Sequence, residues 1–501
     1  MKNILRSSLL IAVITLAGRS IGYLEKIILS YYFGTSYKTD IYTIVISIIT
    51  SVFIFFRELV EPGFLKVFLQ ALSNGDRKGA WGFFSRLGAG IFILTTILAL
   101  LVFFNADAIT GICAPGFKGV EKDLAAHLLK YAYPSTIFLS LTALTGITLN
   151  AHKQFALPVL GELVFKLVIL AAIWLLFPGI GIYAVAAGVI GGAVIKLVIH
   201  MAGLRKYARV DGKGDNVYMG EAWKLTWPLL IGVCFSQLSV FVDNYFASYM
   251  KEGSIAALGY AKKVCDMPVL LFPYMLSVVI FPYFSELAIA RDSQKLSAML
   301  RQSLAWIVAV FLPLSLFFYF FSYELVELIF KRGAFGAYST ELTAYPLRIY
   351  ACGMVFFAVE TIIVVFYFSN SNTKVPILAG VLCVIENIVL TWLLIEPAGY
   401  AGIAIGLVIS KATKVVVLLG YSRIKKMSDL QPLFLLKPVI ASLPLIPVLF
   451  LYKQAIAGHV GQGMFGKLVS LSTAFLLCGL VYTGVFLLIK GRKELKLFAP
   501  R

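Results

Sequence analysis

The sequence predicts an all-α polytopic membrane protein of about fourteen transmembrane helices. Three observations carry that prediction. Of the 501 residues, 60% are hydrophobic and only 14% charged, whereas a soluble chain carries about 25% charged residues. The apolar residues come in repeated long runs, among them Ile91–Phe104, Ile307–Phe321 and Val439–Leu451, and about 20 such residues cross the hydrocarbon core of a bilayer. Finally, one stretch of the chain recurs 218 residues later, as the positions of Pro158 and Pro376 show.

Taken in order, the spans are 8–33, 40–70, 81–104, 125–150, 157–177, 181–203, 221–249, 255–288, 298–322, 341–369, 376–395, 400–420, 433–453 and 466–490. The first apolar stretch, Leu9–Phe33, is too long for the core of a signal peptide and contains Arg19, Glu25 and Lys26, so it is read as the first helix. An even number of spans puts both termini on one side. One set of loops carries Arg77, Lys78, Lys153, Arg205, Lys206, Arg209, Lys213, Arg291, Lys295, Lys374, Arg423, Lys425 and Lys426, and the tails add more. The opposite loops hold only Lys38, Lys118, Lys122, Lys251, Lys331, Arg332 and Lys453. The positive-inside rule then places both termini in the cytoplasm of a bacterial inner-membrane protein. The longest external loops are expected at 105–124 and 323–340. The net charge of +19 is largely this loop bias, so no nucleic-acid partner is expected.

The repeat is specific. Ala156–Ile169 (ALPVLGELVFKLVI) is similar to Lys374–Val389 (KVPILAGVLCVIENIV), and Gly181–Gly188 (GIYAVAAG) to Gly399–Gly406 (GYAGIAIG). Spans 1–6 and 7–12 therefore read as two copies of one bundle. Six spans is even, so the copies share an orientation and relate by a parallel pseudo-twofold, with the substrate site between them. The expected division is an N-terminal lobe over 1–210, a C-terminal lobe over 211–430, and two further helices with a cytoplasmic tail over 431–501.

Ionisable side chains inside spans are costly, roughly 2.5–3.5 kcal/mol each on insertion scales, and mark functional positions by default. Span 1 carries Arg19 and Lys26 on one stripe with Gly22. Asp40 opens span 2, as a site residue or as a helix cap. Arg57 and Glu61, four residues apart, can pair, and the Pro62-Gly63 step after them is expected to distort the helix. Span 8 carries Lys262, Lys263 and Asp266, again with spacings that permit local pairing. Arg19, Lys26, Arg57 and Lys263 together suit a diphosphate, which guanidinium and ammonium groups hold by charge-assisted bonds. Asp243 in span 7 is a candidate for a coupling cation, with Asn387 and Thr391 of span 11 as further oxygens. Glu162, Lys166, Lys196, Glu360 and Glu386 are expected to pair within their own lobes.

The remaining motifs are absences. There is no GxxxxGK[ST] phosphate loop, no HExxH and no GxSxG. The four histidines are scattered and the six cysteines form no CxxC pair, so neither a metal site nor a disulfide framework is expected. No cofactor is expected. An Na⁺ or H⁺ gradient, or the membrane potential, would drive transport.

The residues also resemble a known family. Gly18-Arg19-Ser20-Ile21-Gly22, Phe33-Gly34, Asp40 and Glu61-Pro62-Gly63-Phe64 stand in the first two spans, and Ala114-Pro115-Gly116-Phe117 in the first external loop. Pro134 and Leu149-Asn150 lie in span 4, Tyr260-Ala261-Lys262-Lys263 and Asp266-Met267-Pro268 in span 8. Phe366-Tyr367-Phe368-Ser369 ends span 10, and Thr373-Lys374-Val375-Pro376 comes after it. In order and spacing these resemble the MurJ/MviN lipid II flippases of the multidrug/oligosaccharidyl-lipid/polysaccharide exporter superfamily. The resemblance implies a transporter rather than an enzyme, with a cationic cavity and alternating access. Its implied substrate is undecaprenyl-diphosphate-linked disaccharide-pentapeptide, a precursor of the cell wall. Membrane lipids and the peptidoglycan synthesis machinery are the implied partners. Arg19 and Asp40 match family positions, and Lys263 and Asp266 stand where the family has arginine and glutamate. Two departures stand out. Glu25-Lys26 reverses the family's Arg-Asp order, and its Asn-Leu-Leu-Arg run in the second helix has no counterpart. A flippase for O-antigen or exopolysaccharide precursors, and more remotely an ion-coupled drug exporter, are the alternative readings.

Overall fold

The computed structural model describes residues 18, 20–207, 217–424, 436–456 and 463–494. All regular structure among them is helical. The helices are α1 (20–33), α2 (Tyr37–Ser73), α3 (Arg77–Cys113), α4 (Val120–Ala132), α5 (Ser135–Ala151), α6 (Ala156–Ile180), α7 (Tyr183–Leu204) and α8 (Val217–Ser248). They continue as α9 (Ser254–Ile289), α10 (Ser293–Phe320), α11 (Ser322–Phe330), α12 (Ala337–Ser369), α13 (Lys374–Ala398) and α14 (Ala401–Ile424). The last three are α15 (Leu436–Ser442), α16 (Leu445–Ile456) and α17 (Met464–Glu494). Among the described residues, 11 helices are long and apolar enough to cross a membrane. The number is 13 if α4–α5, bent by 45°, and the two halves of α8, bent by 50°, each form one span. Of the first predicted span only the part from 20 onward is described as continuous helix.

The chain divides into two compact units after Ala256. In the first, α2 packs against α8 and α5, α5 against α7, and α6 against α7. One end of this unit is an aromatic core, with Phe64 stacked on Phe68 and Phe83 at centroid distances of 5.0 and 5.2 Å. His152 lies flat between Trp81 and Tyr207. Asp76 starts α3 by accepting the Gly79 N–H at 2.8 Å and the Tyr218 hydroxyl at 2.7 Å. Those two bonds, the backbone one first, hold its carboxyl below the usual carboxylate range.

In the second unit α10 and α14 pack on α12, and α13 on α14. Helices α15–α17 lie on α10 through an apolar cluster that includes Phe317, Phe321, Leu445, Leu449, Ala474 and Cys478. Ion pairs reinforce that attachment at α11. Lys453 reaches Glu324 at 2.9 Å, and Lys467 reaches Glu327 at 2.9 Å. Burial pushes the Glu327 carboxyl up, but the ammoniums of Lys331 and Lys467 outweigh it and hold the group below its ordinary value. The pairing therefore persists at neutral pH and fades only as pH falls through that lowered value.

Two expectations need correction. The segments 105–124 and 323–340 are not long loops. Helix α3 continues to Cys113 past a hinge at Asn105, whose φ of −123° and ψ of 26° are non-helical. The Asn105 carboxamide donates to the Leu101 carbonyl at 2.9 Å, replacing the bond the hinge loosens. Helix α11 likewise follows α10 after a break at Phe321. The connections shrink to 114–119 and 331–336. Nor does Pro62 break α2, which runs helically through it for 37 residues. The proline removes a donor to a neighbouring carbonyl, and just beside that gap the Thr226 hydroxyl of α8 donates to the Leu59 carbonyl at 3.3 Å.

Gly63 is what lets α8 come that close. A Cβ there would fall 2.1 Å from Thr226 Oγ1 and 2.8 Å from the Ala222 carbonyl oxygen. Small residues permit such close helix approach in membranes. Gly63→Leu is expected to cost roughly 1–3 kcal/mol by overpacking, read as a lower unfolding midpoint of the purified protein. An unchanged midpoint would show that the α2–α8 contact is slack.

The repeat appears in the helix lengths. Helices α6 and α13 have 25 residues each and start at 156 and 374. Helices α7 and α14 start at 183 and 401. Both pairs keep the 218-residue offset.

Candidate functional site

Along α2, Thr43, Ser47, Thr50, Ile54, Arg57 and Glu61 recur at alternating spacings of four and three, which places them on one face of a helix. From 43 to 61 that face runs about 27 Å at 1.5 Å per residue, most of an about 30 Å hydrocarbon core. A helix facing only lipid would carry aliphatic residues there. On α8, Gln237, Val240 and Asn244 follow the same spacing.

Between these faces lies an open groove of ≈ 270 Å³. Lys26 of α1, Thr43, Ser47, Thr50 and Ser51 of α2, and Gln237 of α8 form its polar lining. Ile46, Ile54 and Val240 form its apolar part. The helices touch to either side of the groove. The Asn244 carboxamide donates to Ser47 Oγ at 2.8 Å, and the Gly63 contact lies several turns further along α2.

The groove has a cation at one end and another beyond it. Lys26 Nζ sits 5.0 Å from the centroid of the Tyr42 ring, a favourable cation–π position. The Tyr42 hydroxyl donates to Glu25 Oε1 at 2.7 Å, so the acid next to Lys26 in sequence has a partner of its own. Further along the stripe, Arg57 Nε lies 4.0 Å from Glu61 Oε2, with 61% and 53% of the two side chains exposed. A pair so open and so long is weak and leaves the guanidinium available.

The other predicted residues divide. Arg19 lies outside the described residues. Asp40 is only 4% exposed. Its Oδ2 accepts the Gly253 N–H at 2.6 Å and its Oδ1 the Ala256 N–H at 2.7 Å. It thus caps α9, not its own helix. Glu252 returns the favour, accepting the Tyr37 N–H at the start of α2 at 2.8 Å. Asp243 is half-buried in α8. In the second unit Asp266 is bonded to Lys262, one turn before it, and the Lys262 ammonium lies 4.7 Å from the Phe357 ring centroid. Lys263 is half-buried beside them. Asn387 and Thr391 are buried on α13 and press on Gly406 of α14, where a Cβ would come 3.0 Å from Thr391 Oγ1 and 3.3 Å from Asn387 Oδ1.

The remaining intramembrane charges pair within their units, as expected. Lys196 and Lys166 lie 2.7 and 3.8 Å from Glu162. Lys411 and Lys414 lie 2.8 and 2.6 Å from Glu360. Glu386 accepts from the Thr413 hydroxyl at 2.8 Å. Among the described residues no group of three or more His, Cys, Asp or Glu is placed to hold a metal ion.

Charge alone did not reveal the hydroxyls and amides of the groove. Thr43, Ser47, Thr50, Ser51, Gln237 and Asn244 carry no charge, and only their heptad-like spacing on α2 and α8 marks them. Together the groups suit an amphiphile whose polar head is anionic and rich in hydrogen-bonding groups.

Comparison with known proteins points the same way. The chain is 25% identical over 496 residues to the probable lipid II flippase MurJ of Buchnera aphidicola subsp. Schizaphis graminum (strain Sg), covering 96% of each protein. Its fold is similar to a solved lipid II flippase MurJ in an inward closed conformation, with a TM-score of 0.81, 23% identity, and 95% and 98% of the two chains covered. An inward-facing multidrug resistance transporter of the MATE family, in the MOP superfamily, superimposes with a TM-score of 0.70 at 12% identity, over 83% of this chain and 98% of that one. The model of the lipid II flippase MurJ family matches residues 29–476, and the chain belongs to that family.

Proposed function

We propose that this protein moves lipid II, the undecaprenyl-diphosphate-linked peptidoglycan precursor, from the cytoplasmic to the outer leaflet. The observation that carries the reading is the polar groove along α2, with Lys26 on its lining and Arg57 on the same stripe. A diphosphate entering there meets an ammonium and an accessible guanidinium, while the prenyl tail stays in lipid. In this reading Arg19 and Lys263 add further positive charge to the path. Access to the groove alternates between the two faces of the membrane, so the head never crosses bare hydrocarbon. Both termini face the cytoplasm, on the strength of the lysine and arginine distribution. The step is driven by an Na⁺ or H⁺ gradient or by the membrane potential, with Asp243 as a candidate coupling carboxylate. Peptidoglycan synthases are the natural consumers of the delivered substrate.

The test is growth of bacteria depleted of their own lipid II flippase and supplied with this chain. Restored growth is expected. Failure despite normal membrane levels would overturn the assignment in favour of another polyprenyl-diphosphate oligosaccharide, the reading that the Glu25-Lys26 order leaves open.

A further inference from the structure

Building on the lipid-diphosphate reading, we infer that the hydroxyl face of α2 is a sugar subsite, which takes the pyranose ring attached to the diphosphate. The argument begins with where each hydroxyl proton goes. Thr43 Oγ1 donates to the Thr39 carbonyl at 2.8 Å, and Ser47 Oγ donates to the Ile44 carbonyl at 2.8 Å. A hydroxyl has one proton and two lone pairs. With the proton committed to the backbone, what Thr43 turns to the groove is an acceptor. Ser47 already uses a lone pair on Asn244. Ser51 is 6% exposed, lines the groove, and makes no hydrogen bond among the described residues. Thr50 stands exposed beside it.

Thr43 offers only acceptors, whereas the hydroxyls of Thr50 and Ser51 each offer a proton as well as lone pairs, and this mixed wall selects its ligand. A phosphate brings acceptors only, so it gains nothing from Thr43 and goes to the cations. A prenyl chain brings neither donors nor acceptors. A sugar brings several O–H donors, and an acetamido group adds an N–H. Ile46, Ile54 and Val240 give the ring's C–H face an apolar surface to lie on.

Size agrees with a single ring. The ≈ 270 Å³ of the groove equals roughly nine waters at about 30 Å³ each. Small hydroxyl residues also serve simple helix packing in membranes, but packing would fill this space with α8 side chains, and here the space stands open. The position also fits, since Lys26 lines the same groove, so a ring held at Thr43 and Thr50 places its diphosphate beside the ammonium.

The test uses the full-length purified protein and two probes that differ only in the ring, undecaprenyl diphosphate and undecaprenyl-diphosphate-N-acetylglucosamine. Wild type is expected to bind the sugar-bearing lipid about tenfold tighter, roughly what one or two neutral hydrogen bonds supply. The triple variant Thr43→Val, Thr50→Val, Ser51→Ala removes the available hydroxyls, keeps the side-chain volumes close, and spares the Ser47–Asn244 bond. It is expected to lose the preference to within about twofold, with its unfolding midpoint retained. A variant that keeps the preference, or a wild type without one, would overturn the subsite while leaving the flippase reading intact. A wild type that binds neither lipid would overturn both.

Discussion

Lys26→Glu is expected to abolish rescue of flippase-depleted cells while the protein still reaches the membrane in normal amounts. The expectation follows from the geometry of the groove. Lys26 is half-buried, lines the polar cavity, and has the face of Tyr42 beside it. A phosphate about 4 Å from that ammonium gains about 4 kcal/mol at an effective dielectric of about 20. Reversing the charge replaces this gain with a repulsion of similar size. Even with generous screening, affinity for undecaprenyl diphosphate should fall by at least about a hundredfold, or about 2.7 kcal/mol. Lys26→Arg keeps the charge and should rescue. Lys26→Gln should fall between. Full rescue by Lys26→Glu would remove the residue from the phosphate path.

Asp40→Ala is expected to act on folding instead. Asp40 is buried, and its carboxyl oxygens receive the backbone N–H groups of Gly253, just before α9, and of Ala256 in its first turn. Its loss strands two backbone donors at a helix terminus. A buried donor left unsatisfied costs about 1–3 kcal/mol, and a lost cap typically about 1 kcal/mol. A total of about 3 kcal/mol is a reasonable scale, enough to lower the unfolding midpoint of the purified protein by several degrees. Asp40→Asn keeps one acceptor and should lose less. Glu252→Ala, whose bond to Tyr37 is exposed, should lose under about 1 kcal/mol. If Asp40→Ala melts like wild type, the carboxylate is not the cap of α9.

The fold was largely legible because hydrophobic runs and loop charges are local signals. The spans 157–177, 181–203 and 376–395 match α6, α7 and α13 to within about three residues at each end. What local pattern missed was tertiary in origin. Asn105 reads as a loop residue, yet it hinges a helix that continues beyond it. Pro62 reads as a source of distortion, but α2 runs helically through it and α8 supplies a hydroxyl next to the gap it leaves. Asp40 reads as a cap on its own helix, while its real partners lie more than two hundred residues away in sequence. The site was half legible. Charges such as Lys26 and Arg57 stand out against an apolar background, whereas Thr43, Thr50 and Ser51 are common in membrane helices and gain meaning only from the space they face.

Lys196 and Lys414 occupy matching places in the two halves, 218 residues apart, yet different helices answer them. In the first half the acid is Glu162 on α6. Its counterpart by the same offset is Gly380, where a Cβ would lie 3.7 Å from Lys414 Nζ, and the acid comes from Glu360 on α12 instead. One half therefore rivets α6 to α7, whereas the other rivets α14 to α12 and leaves α13 without that fastening. The two halves thus differ in which of their staves an ion pair binds together, through a single carboxylate placed on a different helix.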